Sequence, residues 1–212
     1  MLWTALACAQ HKNSLIVVGQ EKQQKQWVDS IYNKMSLEEK IGQLYMVDIF
    51  SQAPKASTDR IKTLIKENHI GGIIFSKGGP VRQAILNNEY QDLAKVPLLI
   101  GMDAEWGLAM RLDSTFAYPW NMTLGAVKDN KLIEQAGAQI GKHVKRLGVH
   151  INFAPSVDVN NNPKNPIIGN RSFGEDPIAV TAKATAFIKG MEGVGTSSSI
   201  KHFPGHGNTD QD

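Results

Sequence analysis

Cysteine is all but missing from this sequence: Cys8 is the only one, so the chain can build neither an intrachain disulfide nor a thiolate metal cluster. That excludes small disulfide scaffolds and Cys-rich zinc modules. Long apolar runs are missing too. Leu15 to Val18, the aliphatic run near the start, has four residues, and no other run approaches the roughly 20 needed to span a bilayer as a helix. There is no excess of one charge: 23 basic against 20 acidic residues leave +3, carried as +3 over residues 1–100 and 0 over 101–212. Neither half is a nucleic-acid-binding arm. The sequence has no GxSxG elbow, P-loop or post-strand GxGxxG, and Ser197 to Ser199 lack the glycine frame of a nucleophile elbow. What remains is ordinary, since 42% hydrophobic and 20% charged residues over 212 positions suit one folded domain with a sizeable core.

The first nineteen residues stand apart from 20–212. Met1 to Ala9 (MLWTALACA) is an apolar stretch with small residues around Cys8, without a basic n-region. It reads either as the remnant of a secretory or lipoprotein signal or as a disordered start. With Cys8 as a lipidation site the protein belongs in the periplasm or cell envelope; without it the cytoplasm is the alternative.

From residue 20 onward the chain alternates helix and strand. Trp27, Val28, Ile31 and Met35 recur at helical spacing, and Ser36 with Glu39 forms a capping box ahead of Ile41 and Leu44. Strands are predicted at Tyr45 to Phe50, Gly71 to Phe75, Val96 to Met102, Val149 to Ala154 and Ser198 to Phe203. Between them, helices are predicted over Ser57 to Asn68, from Pro80 with Val81, Ala84, Ile85 and Leu93 on its apolar face, from Asp129 through Leu132, Ile133, Ala136, Ile140, Val144 and Leu147, and from Asp176-Pro177. The basic group Lys142, Lys145 and Arg146 falls opposite the apolar stripe of its helix, as a solvated face.

Repeated βα units with strands apolar on both faces predict a parallel sheet, either doubly wound or a (β/α)8 barrel. Asp103, Asn152 with Asp158, and Lys201 with His202 fall at or just past the carboxyl ends of three different strands, where barrel enzymes keep their chemistry. A barrel needs eight strands and about 250 residues, so the expectation is α/β, a TIM-type barrel truncated after about five strands.

Three segments carry candidate chemistry. In KHFPGHG, Lys201 to Gly207, His202 and His206 have the i,i+4 spacing of a helical zinc pair, but Pro204 and Gly205 break any helix and no Glu follows the first His. Lys201 and His202 are instead read as hydrogen-bond donors to a polar pocket, or as a loop capping its own backbone. In IGMDAEWGLAMR, Ile100 to Arg111, Asp103 and Glu105 directly follow a buried strand and require exposure or partners, with Arg111 within reach; this is a ligand site or a structural ion pair. Trp106 reads as core packing or as a stacking platform for a sugar ring. In NRSFGEDP, Asn170 to Pro177, Arg171 sits on a long loop from Pro155 to Asp176, either to contact a ligand or to pair with Glu175 or Asp176.

Taken in order, GMDAEWG with Arg111, NRSFGEDP, and KHFPGHG followed by Asp212 resemble glycoside hydrolase family 3, and within it the bacterial β-N-acetylhexosaminidase branch, over about residues 36–212. The resemblance implies that Asp103, Arg111, Arg171, Lys201 and His202 bind the hydroxyls and acetamido group of a terminal sugar. Asp212 would match the Asp of an Asp-x-His pair that orients the acid/base histidine. The implied reaction is retaining hydrolysis of a β-linked N-acetylglucosaminide, a small carbohydrate substrate from peptidoglycan- or chitin-derived glycans, with no metal and no cofactor.

Glu105-Trp106-Gly107 departs from the Glu-Gly-Gly of most relatives, and the chain ends at Asp212, before the positions of the histidine and the nucleophilic Asp. The expectation is therefore an N-terminal fragment, inactive alone, of a parent with a further C-terminal domain. Two rivals stand beside it: a β-glucosidase or β-xylosidase of the same family, and a noncatalytic sugar-binding module.

Overall fold

The computed structural model describes residues 19–212. The expectations for Cys8 and for Met1 to Ala9 lie outside the described residues. Five parallel strands form one sheet: β1 (Met46–Phe50), β2 (Gly72–Lys77), β3 (Leu99–Met102), β4 (Ile151–Asn152) and β5 (Ser197–Ser198). Their spatial order is their sequence order. A doubly wound sheet reverses strand order at a switch point; this one does not, so the two readings left open by the repeats resolve to the barrel type, with the sheet not closed among the described residues.

Helices α1 (Glu21–Tyr32) and α2 (Leu37–Gly42) precede the sheet. The capping box is formed: Glu39 N–H donates to Ser36 Oγ at 3.2 Å and Ser36 N–H to Glu39 Oε2 at 2.8 Å. The apolar positions of these two helices are less buried than their periodicity predicts, since Trp27, Val28, Ile41 and Leu44 are exposed.

Helix α3 (Lys55–Glu67) starts directly after Pro54, two residues before the expected Ser57, and buries Ile61 and Ile65. Helix α4 (Pro80–Leu93) corrects the reading of its face. Gln83, Asn87 and Tyr90 point inward, while Val81 and Ile85, each two residues and so about 200° around the helix from Gln83, are exposed. The reason is a polar docking contact: Asn87 Nδ2 donates to the Leu147 carbonyl at 3.1 Å, which turns that side of the helix toward its neighbour.

After the short α5 (Asn121–Gly125), α6 (Asn130–Arg146) and α7 (Pro177–Gly193) follow β3 and β4. Their N-caps are the expected Asp129, accepting from Lys131 N–H at 2.9 Å, and Asp176, accepting from Ala179 N–H at 2.7 Å. These two helices pack closely because α6 presents Gly137 to the backbone of Phe187, where a Cβ would lie 2.3 Å from the carbonyl oxygen. Leu132, counted on the apolar face of α6, is exposed, whereas Ile133, Ile140 and Val144 are fully buried. The core centres on Ile73 and Phe75 of β2 and Ile100 and Met102 of β3.

The predicted fifth strand is corrected most. Ladder pairing stops after Ser198, and residues 199–203 leave the sheet, with Lys201 returning only as an isolated bridge to Ser156. That departure carries Lys201 and His202 beyond the strand end rather than along it.

Candidate functional site

The segments that leave the carboxyl ends of β3, β4 and β5 meet. Asn152, fully buried at the end of β4, accepts from Ala104 N–H through Oδ1 at 2.8 Å and donates from Nδ2 to the Ala104 carbonyl at 3.1 Å. This pair fixes the Asp103–Glu105 segment against β4. Opposite it, Val157 N–H donates to the Lys201 carbonyl at 2.8 Å, so the 155–158 and 201–207 segments are also stitched together.

On that frame Asp103, Arg111, Arg171, Lys201 and His202 join one network. Arg111 Nη2 is 2.5 Å from Asp103 Oδ2, and Lys201 Nζ is 2.8 Å from Asp103 Oδ1 and 2.8 Å from Glu105 Oε1. Arg171 grips Glu105 with two bonds, Nη2 to Oε1 at 2.7 Å and Nε to Oε2 at 3.1 Å. Its Nη2 also lies 3.3 Å from His202 Nε2, and His202 Nδ1 lies 2.6 Å from Asp158 Oδ2. Three carboxylates, Asp103, Glu105 and Asp158, thus face three permanent cations, Arg111, Arg171 and Lys201. Charge balance of this kind offsets the cost of burying the Glu105 side chain, which is 0% exposed.

The electrostatics follow the contacts. Burial pushes the Asp103 carboxyl up, but hydrogen bonds and charge from Lys201 and Arg111 together outweigh it and hold the group below its ordinary value. Asp158 behaves alike: burial raises it, while His202, the His206 N–H and Ser156 bring it down. Arg171 is raised, chiefly by its hydrogen bonds to Glu105.

The structure forms the Asp103–Arg111 pair that sequence proximity offered, but gives Arg171 another partner. Arg171 pairs with Glu105, 66 residues away, and not with Glu175 or Asp176. Asp212 stands apart from the cluster: its side chain is 77% exposed, and its ion contact among the described residues is His206 Nε2 at 3.8 Å. The His202 and His206 ring centroids lie 6.1 Å apart, and no group of three or more His, Cys, Asp or Glu that could hold a metal ion occurs among the described residues. No helix there is long and apolar enough to cross a membrane. Trp106 stacks on Trp120 with ring centroids 4.2 Å apart, so packing accounts for one of its faces.

Glu105 and Asp158 were marked in the sequence by their place after strands, but without their partners. The available signal was chemical: a carboxylate immediately after a buried strand has to find cations or donors, but nothing local names partners 66 and 44 residues away. An open cavity of about 490 Å³ lies between residues 157–161 and 200–208 and touches Lys201 and His202.

Residues 36–212 match the N-terminal domain of glycosyl hydrolase family 3. The chain is 36% identical over 165 residues to beta-hexosaminidase A of Pseudoalteromonas piscicida, which covers 72% of this chain and 28% of that protein. It superimposes with a TM-score of 0.75 and 40% identity on a glycoside hydrolase family 3 beta-N-acetylglucosaminidase from Paenibacillus sp. str. FPU-7, covering 84% of this chain and 35% of the other. The beta-glucoside phosphorylase BglX bound to 2FGlc gives a TM-score of 0.84 at 27% identity, over 90% of this chain and 34% of the other. The chain therefore spans about a third of the length of these relatives.

Proposed function

Since this chain belongs to glycosyl hydrolase family 3, whose N-terminal domain it matches over residues 36–212, we propose that it holds the terminal sugar of a β-linked N-acetylglucosaminide for retaining hydrolysis by the whole protein. The observation that supports this reading is a charge-balanced cluster with unspent hydrogen-bonding capacity. Lys201 Nζ has three hydrogens, donates one to Asp103 and pairs by charge with Glu105, which leaves donor capacity for a ligand oxygen. Arg111 Nε is buried without a protein partner, a donor awaiting an acceptor such as a hydroxyl or an acetamido carbonyl. Each Asp103 oxygen meets one cation and keeps a lone pair for a sugar hydroxyl.

A pyranose is a ring of vicinal hydroxyls, and a carboxylate flanked by fixed cations orients such a ring as well as binding it. In a retaining mechanism one carboxylate attacks the anomeric carbon, while a second group protonates the leaving oxygen and then activates water. Neither role falls to the cluster, which positions the substrate. Asp212, exposed and near His206, is proposed as the Asp of an Asp-x-His acid/base pair; a histidine codon at the second position after Asp212 supports that role, and its absence removes it.

The test uses the product of the full reading frame. It should release N-acetylglucosamine from an aryl β-glycoside with retention, and Asp103→Ala should lower kcat/KM by several kcal/mol equivalent, because buried cations lose their acceptor: about 3 kcal/mol is a loss of more than a hundredfold. Equal turnover by Asp103→Ala removes Asp103 from the site. The likeness to a β-glucoside phosphorylase favours a second reading, a glucoside-active protein. Faster turnover of aryl β-glucoside than of the N-acetyl substrate, with or without phosphate, would select it.

A further inference from the structure

We propose that Asp158 is a positioning residue for sugar recognition, which it serves by fixing His202 so that Nε2 presents its lone pair, and not an N–H, to the Arg171 guanidinium and holds that donor in the cluster. Asp158 lies six residues past the end of β4, with its side chain fully buried. Its carboxylate accepts from Ser156 Oγ at 2.9 Å and from His206 N–H at 2.7 Å, and it faces His202 Nδ1 at 2.6 Å. An ionised carboxylate can only accept, so the ring proton sits on Nδ1. That the group is ionised is supported by these same donors, which outweigh the effect of burial and hold its carboxyl low.

The other side of the ring gives the same answer independently. His202 Nε2 lies 3.3 Å from Arg171 Nη2, and a guanidinium has donors and no acceptor. Nε2 is therefore the acceptor of that contact. Both neighbours specify one tautomer: Nδ1 protonated, Nε2 bare. His202 then donates through Nδ1 and accepts through Nε2. That nitrogen has a single lone pair, and it receives Arg171 Nη2, so the ring holds the guanidinium that also grips Glu105.

The scaffolding of the loop does not need the Asp158–His202 contact. The Val157–Lys201 backbone bond and the Ser172 Oγ bond to the Asp158 carbonyl at 2.6 Å hold the same segments. Removing the carboxylate charge therefore acts on the histidine more than on the chain path.

The inference rests on the proposed sugar-binding reading, and its test separates the two. Long-range proton–nitrogen spectra of the histidine-labelled full-length protein should show His202 with Nδ1 protonated and Nε2 bare, without any variant or ligand. A protonated Nε2 would overturn the proposal. Asp158→Asn should then release the ring from this single tautomer and raise the dissociation constant for N-acetylglucosamine about tenfold, the worth of one hydrogen bond. In a His202→Ala background the same Asp158→Asn change should cost nothing further, because the effect runs through the ring. An equal loss in both backgrounds would make Asp158 merely structural and sink the idea. If the wild-type protein does not bind N-acetylglucosamine, the sugar reading fails, while the spectra still decide the tautomer.

Discussion

Replacing Glu105 by glutamine tests whether the cluster's ion pairs are buried interactions or surface decoration. The side chains are nearly isosteric, so the change removes charge and leaves volume in place. Glu105 is 0% exposed and contacts three nitrogens, Arg171 Nη2 at 2.7 Å, Arg171 Nε at 3.1 Å and Lys201 Nζ at 2.8 Å. Its partners' side chains are only 18% and 16% exposed. Breaking a buried ion pair by removing one member costs about 3–5 kcal/mol, because the other charge is left uncompensated. Lys201 keeps Asp103 and the amide oxygen still accepts one bond, which puts Glu105→Gln at the lower end, about 3 kcal/mol. For a domain of this size about 2–4 °C of melting temperature accompanies each kcal/mol, so calorimetry should show a drop of about 6–12 °C. The control is Lys25→Ala, which removes the exposed Lys25–Asp29 bridge on α1 and should leave the transition in place. A Glu105→Gln shift no larger than that of the control would refute the reasoning, since it would mean that water reaches Arg171 and Lys201 freely.

Other outcomes follow from the same geometry. Asn152→Ala leaves the buried Ala104 N–H without a partner, while the carbonyl keeps Gly107 N–H at 3.2 Å, and should destabilise the fold by about 1–3 kcal/mol, read from urea midpoints. Gly207→Ala places a Cβ 1.8 Å from the Val159 carbonyl oxygen, so the Lys201–Gly207 loop must shift; sugar affinity should fall, with an overpacking cost of about 1–3 kcal/mol in the denaturation curve. Asp103 and Asp158 are both held below the ordinary aspartate value, so below about pH 4 the unfolded chain binds more protons than the folded one. Their stabilisation is complete above that value and is lost as pH falls through the lower folded values; Asp103→Asn should flatten this acid limb in equilibrium unfolding, and an unchanged slope would count against it. Exhaustive chelation should leave glycosidase activity intact, and a loss restored by zinc would revive the His202–His206 pair as ligands.

The division between what could be read in advance and what could not follows the range of the interactions. Local features were legible: the Ser36–Glu39 capping box, the Asp129 and Asp176 N-caps and the Ile133, Ile140, Val144 stripe depend on residues within a few positions of each other. Five parallel strands were legible as well from the repeated βα units, and the polar residues at their carboxyl ends pointed to the barrel rather than to the doubly wound order. The motifs marked Asp103, Arg111, Arg171, Lys201 and His202. Apart from Asp103 with nearby Arg111, their partners were not legible, because a charge can pair with whatever the fold brings near it: Lys201 reaches Asp103 across 98 residues, and Arg171 passes over neighbouring Glu175 and Asp176 for Glu105.

The face of α4 was misread for a related reason. Its apolar Val81 and Ile85 lost the inward position to Asn87, whose hydrogen bond to the Leu147 carbonyl exists only once α4 and the end of α6 are side by side. Periodicity, caps and residue chemistry therefore belonged to the sequence by itself. Tertiary structure decided which buried carboxylate meets which cation, and through Asp158 which nitrogen of His202 carries the proton, because those choices depend on desolvation and distance between segments that only folding brings together.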